Sequence, residues 1–158
     1  MKIKTGIGQD SHTFESESDK VLILAGVTFE HEKGLRGNSD ADVVLHSLTN
    51  AISSITGRNI LGKVADELCQ QGVTDSREYL KCALEDLGDW QIEHIAISLE
   101  CLEPKISPQI IIMKESIAKQ CNISASDVGI TATTGEGLTA FGRGKGIQAL
   151  TIITVSQA

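Results

Sequence analysis

Five segments of the chain have the pattern of hydrophobic and polar positions expected of β-strands. In most of them apolar residues alternate with polar or small ones, as in a strand with one buried face. Residues 21–24 instead form a continuous apolar run, which predicts a buried strand after a polar loop at 15–20. The predicted strands lie at residues 3–7, 21–24, 94–100, 128–133 and 147–155.

A first helix is predicted after Ser39, whose side chain is suited to cap a helix N-terminus. Asp40 and Asp42 would then lie in the first turn, where acidic groups interact favourably with the helix dipole. Spacings of three and four residues place several apolar side chains on one face of this helix. The predicted apolar stripe consists of Val44, Leu48, Ile52 and Ile55.

Two further helices are predicted from their end signals. The second opens at Asp75 or Ser76 and closes at Gly88, since glycine commonly ends a helix. The third opens at the Ser107–Pro108 pair, with proline at the first helical position, and runs to about Cys121.

Strands and helices alternate along the chain, and no internal repeat is present. This pattern favours the mixed α/β class (α+β type), with a single mixed β-sheet packed against helices. At 158 residues the chain has about the length of one domain, so we expect a single domain over residues 1–158. Folding should bury roughly 69% of the unfolded surface, enough for a core without disulfide or metal staples.

Composition excludes several classes of partner. A formal net charge of -7 opposes attraction to nucleic acids or anionic membranes, and 3% aromatic residues leave little for base stacking. The N-terminus lacks the apolar core of a signal peptide, and no apolar run approaches a membrane span. The four cysteines include no C-x-x-C pair. We expect them to be buried thiols in a cytoplasmic protein. These are Cys69, Cys82, Cys101 and Cys121.

Asp10, His12 and His46 are candidate metal ligands. Residues two apart in an extended strand project from the same face, so Asp10 and His12 can converge on one ion. His46 lies on the first predicted helix and could supply a third ligand, leaving a fourth tetrahedral position open as in catalytic zinc sites. Asp42, one turn before His46, is a candidate partner for its imidazole. The alternative is that all of these are independent surface residues.

The segment T-A-T-T-G-E-G-L-T-A-F-G-R-G-K-G, at residues 131–146, contains five glycines. Glycines let backbone N–H groups approach an anion closely, and Thr133, Thr134 and Arg143 add side-chain donors, so the segment could hold a diphosphate. Glu136 would repel phosphates unless a divalent cation lay between them. The segment lacks the G-K-[ST] ending of a Walker A loop. A flexible hairpin loop is the alternative interpretation.

Four segments match motifs of one enzyme family in order and spacing. G-Q-D-S-H-T-F at residues 8–14 resembles G-x-D-x-H-x-F, and N-S-D-A-D-V-V-L-H at 38–46 resembles H-S-D-G-D-V-x-x-H. E-P-K at 103–105 resembles A-P-K, and residues 132–146 resemble T-T-x-E-x-L-x-x-x-G-R-G-x-G. Nearly end to end, the chain resembles the 2-C-methyl-D-erythritol 2,4-cyclodiphosphate synthase family of the non-mevalonate isoprenoid pathway.

The resemblance implies an intramolecular phosphoryl transfer in 4-diphosphocytidyl-2-C-methyl-D-erythritol 2-phosphate, which yields the cyclic diphosphate and CMP. It implies Zn²⁺ or another divalent cation at Asp10, His12 and His46, and Mg²⁺ or Mn²⁺ at Glu136. It also implies a homotrimer with active sites between neighbouring subunits.

The resemblance further implies roles for individual residues. Asn38 and Thr134 occupy the positions thought to stabilise the transition state through hydrogen bonds. The implied substrate-binding residues are Asp10, Ser11, His12, Asn38, Ser39, Ile60, Leu61, Gly62, Pro104, Lys105, Ile106, Ser107, Thr133, Thr134, Gly135, Glu136, Ala140 and Arg143.

The chain departs from the family pattern at several of these positions. Asn38 stands where the family usually has histidine, and its amide can still donate a hydrogen bond. The aspartate of the family's D-I-G aligns with Ile60, which leaves Asn59 and Asp66 as the nearest polar candidates for its contacts. Ala140 replaces a phenylalanine associated with the apolar cavity of the trimer.

Two other functions stay open from the sequence. A metal-dependent phosphoesterase would use metal-bound water and release inorganic phosphate. A regulator that has lost activity would bind a phosphorylated ligand without turning it over. The presence of Asp10, His12, His46 and Glu136 together argues against the regulator, because simple binding does not require two metal sites.

Overall fold

The computed structural model describes residues 1–17 and 19–158. Within them it contains six strands, four α-helices and three short 3-10 turns. The elements are β1 (Lys2–Thr13), β2 (Leu22–Leu24), β3 (Val27–Phe29), α1 (Val43–Thr56), α2 (Lys63–Gln70), α3 (Ser76–Asp86), β4 (Gln91–Glu100), α4 (Ile110–Cys121), β5 (Val128–Thr133) and β6 (Gly146–Gln157). The 3-10 turns are Ser107–Gln109, Ala125–Asp127 and Gly135–Gly137.

Four strands form a mixed sheet in the order β1-β6-β4-β5. β1 runs antiparallel to β6 along its whole length, from Lys2 opposite Gln157 to Thr13 opposite Gly146. β4 is antiparallel to β6 and parallel to β5. This confirms the predicted mixed sheet packed against helices. The expectation of a single sheet was wrong, because β2 and β3 form a separate two-stranded hairpin.

Two glycines of β1 allow α1 to pack unusually close to the sheet. A Cβ atom on Gly8 would lie 2.2 Å from the carbonyl oxygen of Ser47, and one on Gly6 would lie 2.3 Å from that of Ala51. Both distances are far below van der Waals contact, so only glycine fits at these positions. Asp10 and His12 follow on the same face of β1 and therefore point towards α1.

Asp42, and not Ser39, caps α1. The Asp42 carboxylate accepts hydrogen bonds from the backbone N–H of Leu45 at 3.0 Å, of Ala25 at 2.9 Å and of Gly26 at 2.7 Å. Asp42 is fully buried and joins the β2–β3 hairpin to the start of α1. The predicted cap was wrong because the hairpin, which is distant in sequence, selects Asp42 from several residues suited to capping.

The other predicted elements are present, with changes at their ends. β1 extends to Thr13 because its polar second half still pairs with β6. The second predicted helix is α3, which begins after its N-cap Asp75, one of the two predicted starting residues. The third predicted helix is α4, which is preceded by a 3-10 turn over Ser107–Gln109 and has no side-chain cap from Ser107. The predicted polar loop at 15–20 includes Ser18, which lies outside the described residues.

The expectation for the cysteines was partly wrong. All four are free thiols, but only Cys101 and Cys121 are buried, while Cys69 and Cys82 are partly exposed.

Among the described residues, none of the helices has the length and apolar character needed to cross a bilayer.

The burial of Asp42 predicts a pH-dependent contribution to stability. Burial raises the pKa of Asp42 to about 6, although the backbone N–H groups of Leu45, Gly26 and Ala25 act in the opposite direction. An unfolded aspartate has a pKa of about 3.9. Because the folded carboxyl holds its proton to a higher pH, its contribution to stability is complete below the unfolded pKa and is lost as pH rises through the folded one.

We therefore expect the wild type to lose stability relative to the Asp42→Asn variant as pH rises. Denaturant titrations between about pH 4 and about pH 7 should show this relative loss reaching about 2 kcal/mol, since the contributions of other groups cancel in the difference. A difference between the two proteins that stays constant across this range would contradict the assignment.

Candidate active site

Asp10, His12 and His46 come together where β1 passes the first turns of α1. One Asp10 carboxylate oxygen, Oδ2, lies 3.2 Å from Nε2 of His12 and 3.1 Å from Nδ1 of His46. One ligand atom from each residue lies within 4.8 Å of the other two. The predicted convergence of the two strand residues and the helix residue is confirmed.

The hydrogen bond that His12 makes on the side of its ring away from Asp10 determines the tautomer of the neutral imidazole. Nδ1 of His12 lies 2.6 Å from the carbonyl oxygen of Arg36, and because a carbonyl only accepts, Nδ1 carries the proton. In the neutral imidazole, Nε2 then presents a lone pair to the Asp10 carboxylate. Electron-rich atoms at this separation repel one another unless a proton or a cation lies among them. Imidazole nitrogens and carboxylate oxygens are common zinc ligands, so the donor set fits a divalent cation.

The electrostatics of this cluster favour a charged pair between Asp10 and His12. Burial acts to raise the pKa of Asp10, but hydrogen bonds with His12 and His46 outweigh burial and hold that pKa below its ordinary value. The hydrogen bond with Asp10 raises the pKa of His12 above its ordinary value, against the effect of burial. Asp10 therefore keeps its carboxylate ionised, and a cation that binds here would replace the proton of a positively charged His12.

The second nitrogen of His46 contacts a serine that sequence reasoning missed. Nε2 of His46 lies 2.7 Å from Oγ of Ser76, at the start of α3, and 3.5 Å from Oγ of Ser39. Asp42 was predicted as this partner, and that prediction was wrong, because its carboxylate is held by backbone N–H groups. The sequence pattern marks Ser76 only as a helix-opening residue, and no local spacing connects it to His46.

A cavity of about 360 Å³ opens beside the three ligands. Of the predicted substrate-binding residues, it is also lined by Asn38, Ser39, Leu61 and Gly62. Asp66 lines this cavity too, whereas Asn59 does not. Of the two polar candidates for the contacts of the family's D-I-G aspartate, Asp66 is therefore the one that lies at the cavity. Ile60 is fully buried in the core and Ser11 faces the other side of β1, so neither side chain reaches the cavity.

A second cavity, of about 260 Å³, lies at the ends of β4 and β5, between the segments that follow these two strands. Six predicted substrate-binding residues line it: Pro104, Lys105, Ile106, Ser107, Thr133 and Thr134. Its lining shares no residue with the cavity beside the metal ligands. Within one chain, the structure therefore does not bring the two groups of predicted residues into one site.

The remaining predicted residues lie in the glycine-rich connection between β5 and β6. Glu136 is exposed and has a φ of 52°, between two glycines that also have positive φ. Arg143 is exposed and donates from Nη1 to the carbonyl oxygen of Gly137 at 3.2 Å. Gly135 is half-buried and Ala140 is exposed. This loop is folded into turns rather than extended, so Glu136 projects from a defined backbone.

The fold and these two cavities define a mixed α/β protein with a candidate Asp-His-His metal centre and a separate glycine-rich loop suited to anions. The chain belongs to the YgbB family, whose model matches residues 3–156.

Similar proteins of known name agree with this membership. The chain is 52% identical over 157 residues to 2-C-methyl-D-erythritol 2,4-cyclodiphosphate synthase of Chlamydia caviae, covering 98% of this chain and 89% of the relative. It resembles the bifunctional IspDF of Campylobacter jejuni with a TM-score of 0.89 and 29% identity, covering 99% of this chain and 43% of that one. A CDP-bound structure of the synthase matches with a TM-score of 0.84 and 25% identity, over 97% and 100% of the two chains.

We expect His12→Ala to lower the affinity for Zn²⁺ by on the order of 100-fold or more, because it removes one of three ligands. Competition with a chromophoric chelator measures this affinity directly. His94→Ala is the matched control, since His94 is exposed and lies outside the cluster. Equal affinities of the His12→Ala variant and the wild type would refute the assigned ligand.

Proposed function

We propose that the protein converts 4-diphosphocytidyl-2-C-methyl-D-erythritol 2-phosphate to 2-C-methyl-D-erythritol 2,4-cyclodiphosphate and CMP, in non-mevalonate isoprenoid biosynthesis. The observation that carries the proposal is the Asp10, His12 and His46 cluster, in a chain 52% identical to a synthase of this name. The unpaired cysteines support a reducing, cytoplasmic setting for the reaction.

The reaction needs no protein nucleophile. An oxygen of the 2-phosphate attacks the β-phosphorus and forms a new P–O bond, while the bond from the β-phosphorus to the bridging oxygen breaks. The electron pair of that bond leaves with CMP. The nucleophile and the electrophile belong to one molecule, so holding the chain of atoms in a folded conformation supplies a large part of the rate.

Asp10, His12 and His46 would hold Zn²⁺ or another divalent cation, and Glu136 would hold Mg²⁺ or Mn²⁺. When bound, such cations neutralise the charge of the reacting phosphates and stabilise the charge that moves onto the leaving group. Arg143 would contribute a guanidinium to the same phosphates. Local positive charge is required because the chain itself carries a net charge of -7.

Asn38 and Thr134 would stabilise the transition state through hydrogen bonds, with the amide of Asn38 in place of an imidazole. The cytidine would lie in the cavity lined by Pro104, Lys105, Ile106 and Ser107. The synthase structure that is 25% identical to this chain is a CDP-bound form, which supports a cytidine nucleotide as part of the ligand.

We propose that the active enzyme is a homotrimer in which the metal cavity of one chain faces the nucleotide cavity of the next. The separation of the two cavities within one chain supports this arrangement. So does an exposed apolar patch on the sheet face opposite α1, where Ile7, Leu150 and Ile152 are 62%, 38% and 45% exposed. Contiguous exposed apolar side chains usually mark an interface.

The direct test is incubation of the purified protein with the diphosphocytidyl 2-phosphate substrate and Mg²⁺, with products followed by phosphorus NMR. We expect CMP and the cyclic diphosphate to appear in equal amounts, because one bond rearrangement generates both. Release of inorganic phosphate would instead identify a phosphoesterase, and bound but unchanged substrate would identify a regulator. Either result would refute the proposed reaction.

The proposed arrangement between subunits predicts complementation of two inactive variants. His12→Ala damages the metal cavity, and Glu136→Gln removes the ligand of the second cation, which we assign to the neighbouring chain together with the nucleotide cavity. Each homotrimer should therefore lose most activity. Co-expression of the two variants in equal amounts should restore about a quarter of the wild-type activity. In random assembly, a site is intact when one chain supplies a normal His12 and its neighbour a normal Glu136, and each condition is met about half of the time. If each site lay within one chain, the mixture would be no more active than its parents.

A further inference from the structure

Asp40, Ser76 and His46 form a hydrogen-bonded chain that ends at the metal cluster. Oγ of Ser76 lies 2.7 Å from Nε2 of His46. The same hydroxyl donates to Oδ1 of Asp40, and the backbone N–H of Ser76 donates to Oδ2 of Asp40 at 3.0 Å. Ser76 is fully buried and His46 is 7% exposed, so bulk water does not compete for these bonds.

The direction of each hydrogen bond follows from counting protons. An ionised carboxylate only accepts, so the single hydroxyl proton of Ser76 goes to Asp40. The Ser76 oxygen must then accept from His46, which requires a proton on Nε2 of the imidazole. In the neutral imidazole this leaves a lone pair on Nδ1, the nitrogen that lies 3.1 Å from Oδ2 of Asp10.

We propose that Asp40 and Ser76 are positioning residues for the metal centre. They hold His46 in the tautomer with its proton on Nε2 and aim the unprotonated Nδ1 at the cation. A hydrogen-bonded partner of this kind fixes the ring and increases the basicity of the ligating nitrogen. The proposal rests on the proposed cation site, and it extends that site to two residues with no assigned role.

The geometry around Asp40 makes it a stable anchor for this chain. Its backbone N–H donates to the carbonyl oxygen of Thr74 at 2.9 Å, and its carboxylate also holds the first residue of α3. The segment before α1 is thereby tied to the start of α3. Ser39 is the weaker neighbour of His46, at 3.5 Å, and its hydroxyl oxygen already accepts from Ala41.

The tautomer of His46 can be measured without metal or substrate. Long-range ¹H–¹⁵N NMR spectra of the metal-free protein at about pH 9, where histidines are neutral, distinguish a protonated Nε2 from a protonated Nδ1. We expect the proton on Nε2 in the wild type. In the Ser76→Ala variant we expect a shift towards Nδ1, because Asp10, at 3.1 Å, is then a closer acceptor at the ring than Ser39, at 3.5 Å. A proton on Nδ1 in the wild type would overturn the proposal.

Zn²⁺ affinity provides the second readout. Ser76→Ala should weaken binding by about 10–100-fold, and Asp40→Asn should weaken it in the same direction by leaving a poorer acceptor for Ser76. Ser53→Ala is the matched control, because Ser53 is a buried serine whose hydroxyl has no hydrogen-bond partner among the described residues. Thermal unfolding of each variant shows whether it is folded. Unchanged Zn²⁺ affinity in a folded Ser76→Ala variant would overturn the proposal.

These readouts separate the positioning role from the proposed reaction. A wild type with the proton on Nε2 and a Ser76→Ala variant with weakened Zn²⁺ binding support the role of the two residues even if no CMP is released. Conversely, a protein that forms CMP and the cyclic diphosphate while Ser76→Ala binds Zn²⁺ normally retains its function and refutes the positioning role.

Discussion

The close approach of α1 to β1 is the constraint on which the candidate metal centre depends. Side chains at positions 6 and 8 would collide with the backbone of α1, and glycine at both positions removes the collision. His46 precedes Ser47, whose carbonyl oxygen would lie 2.2 Å from a Cβ on Gly8. Asp10 continues the same face of the strand, so the packing that builds the core also places its carboxylate at the imidazole of His46.

Two acidic residues near the start of α1 have different roles despite their proximity in sequence. Asp42 is buried and satisfies backbone N–H groups of the helix and of the β2–β3 turn, which fixes where α1 begins. Asp40 lies outside the helix and accepts from Ser76. One carboxylate therefore positions the helix that carries His46, and the other, through Ser76, positions the imidazole itself.

Sequence reasoning succeeded where a local pattern reports a local geometry. Apolar alternation located the strands, and the two-residue spacing of Asp10 and His12 correctly predicted a shared face. Sequence reasoning chose Ser39 as the cap and was wrong, since serine and aspartate are both suited to capping and the structure uses Asp42. It also missed α2, whose eight residues include only one buried side chain, that of Ala65. At eight residues it is shorter than the window of about 11–18 residues over which a helical repeat of apolar positions is recognised.

The sequence by itself determined the residue types of the candidate centre and the motifs that identify the family, because these depend on identity and spacing along the chain. Only the tertiary structure decided that Ser76, 30 residues from His46, contacts its ring, and that Ile60 is buried while Asp66 lines the cavity. It also decided that the two cavities of one chain are separate. Such relations arise when distant segments pack on a common core, and no local spacing encodes which of them meet.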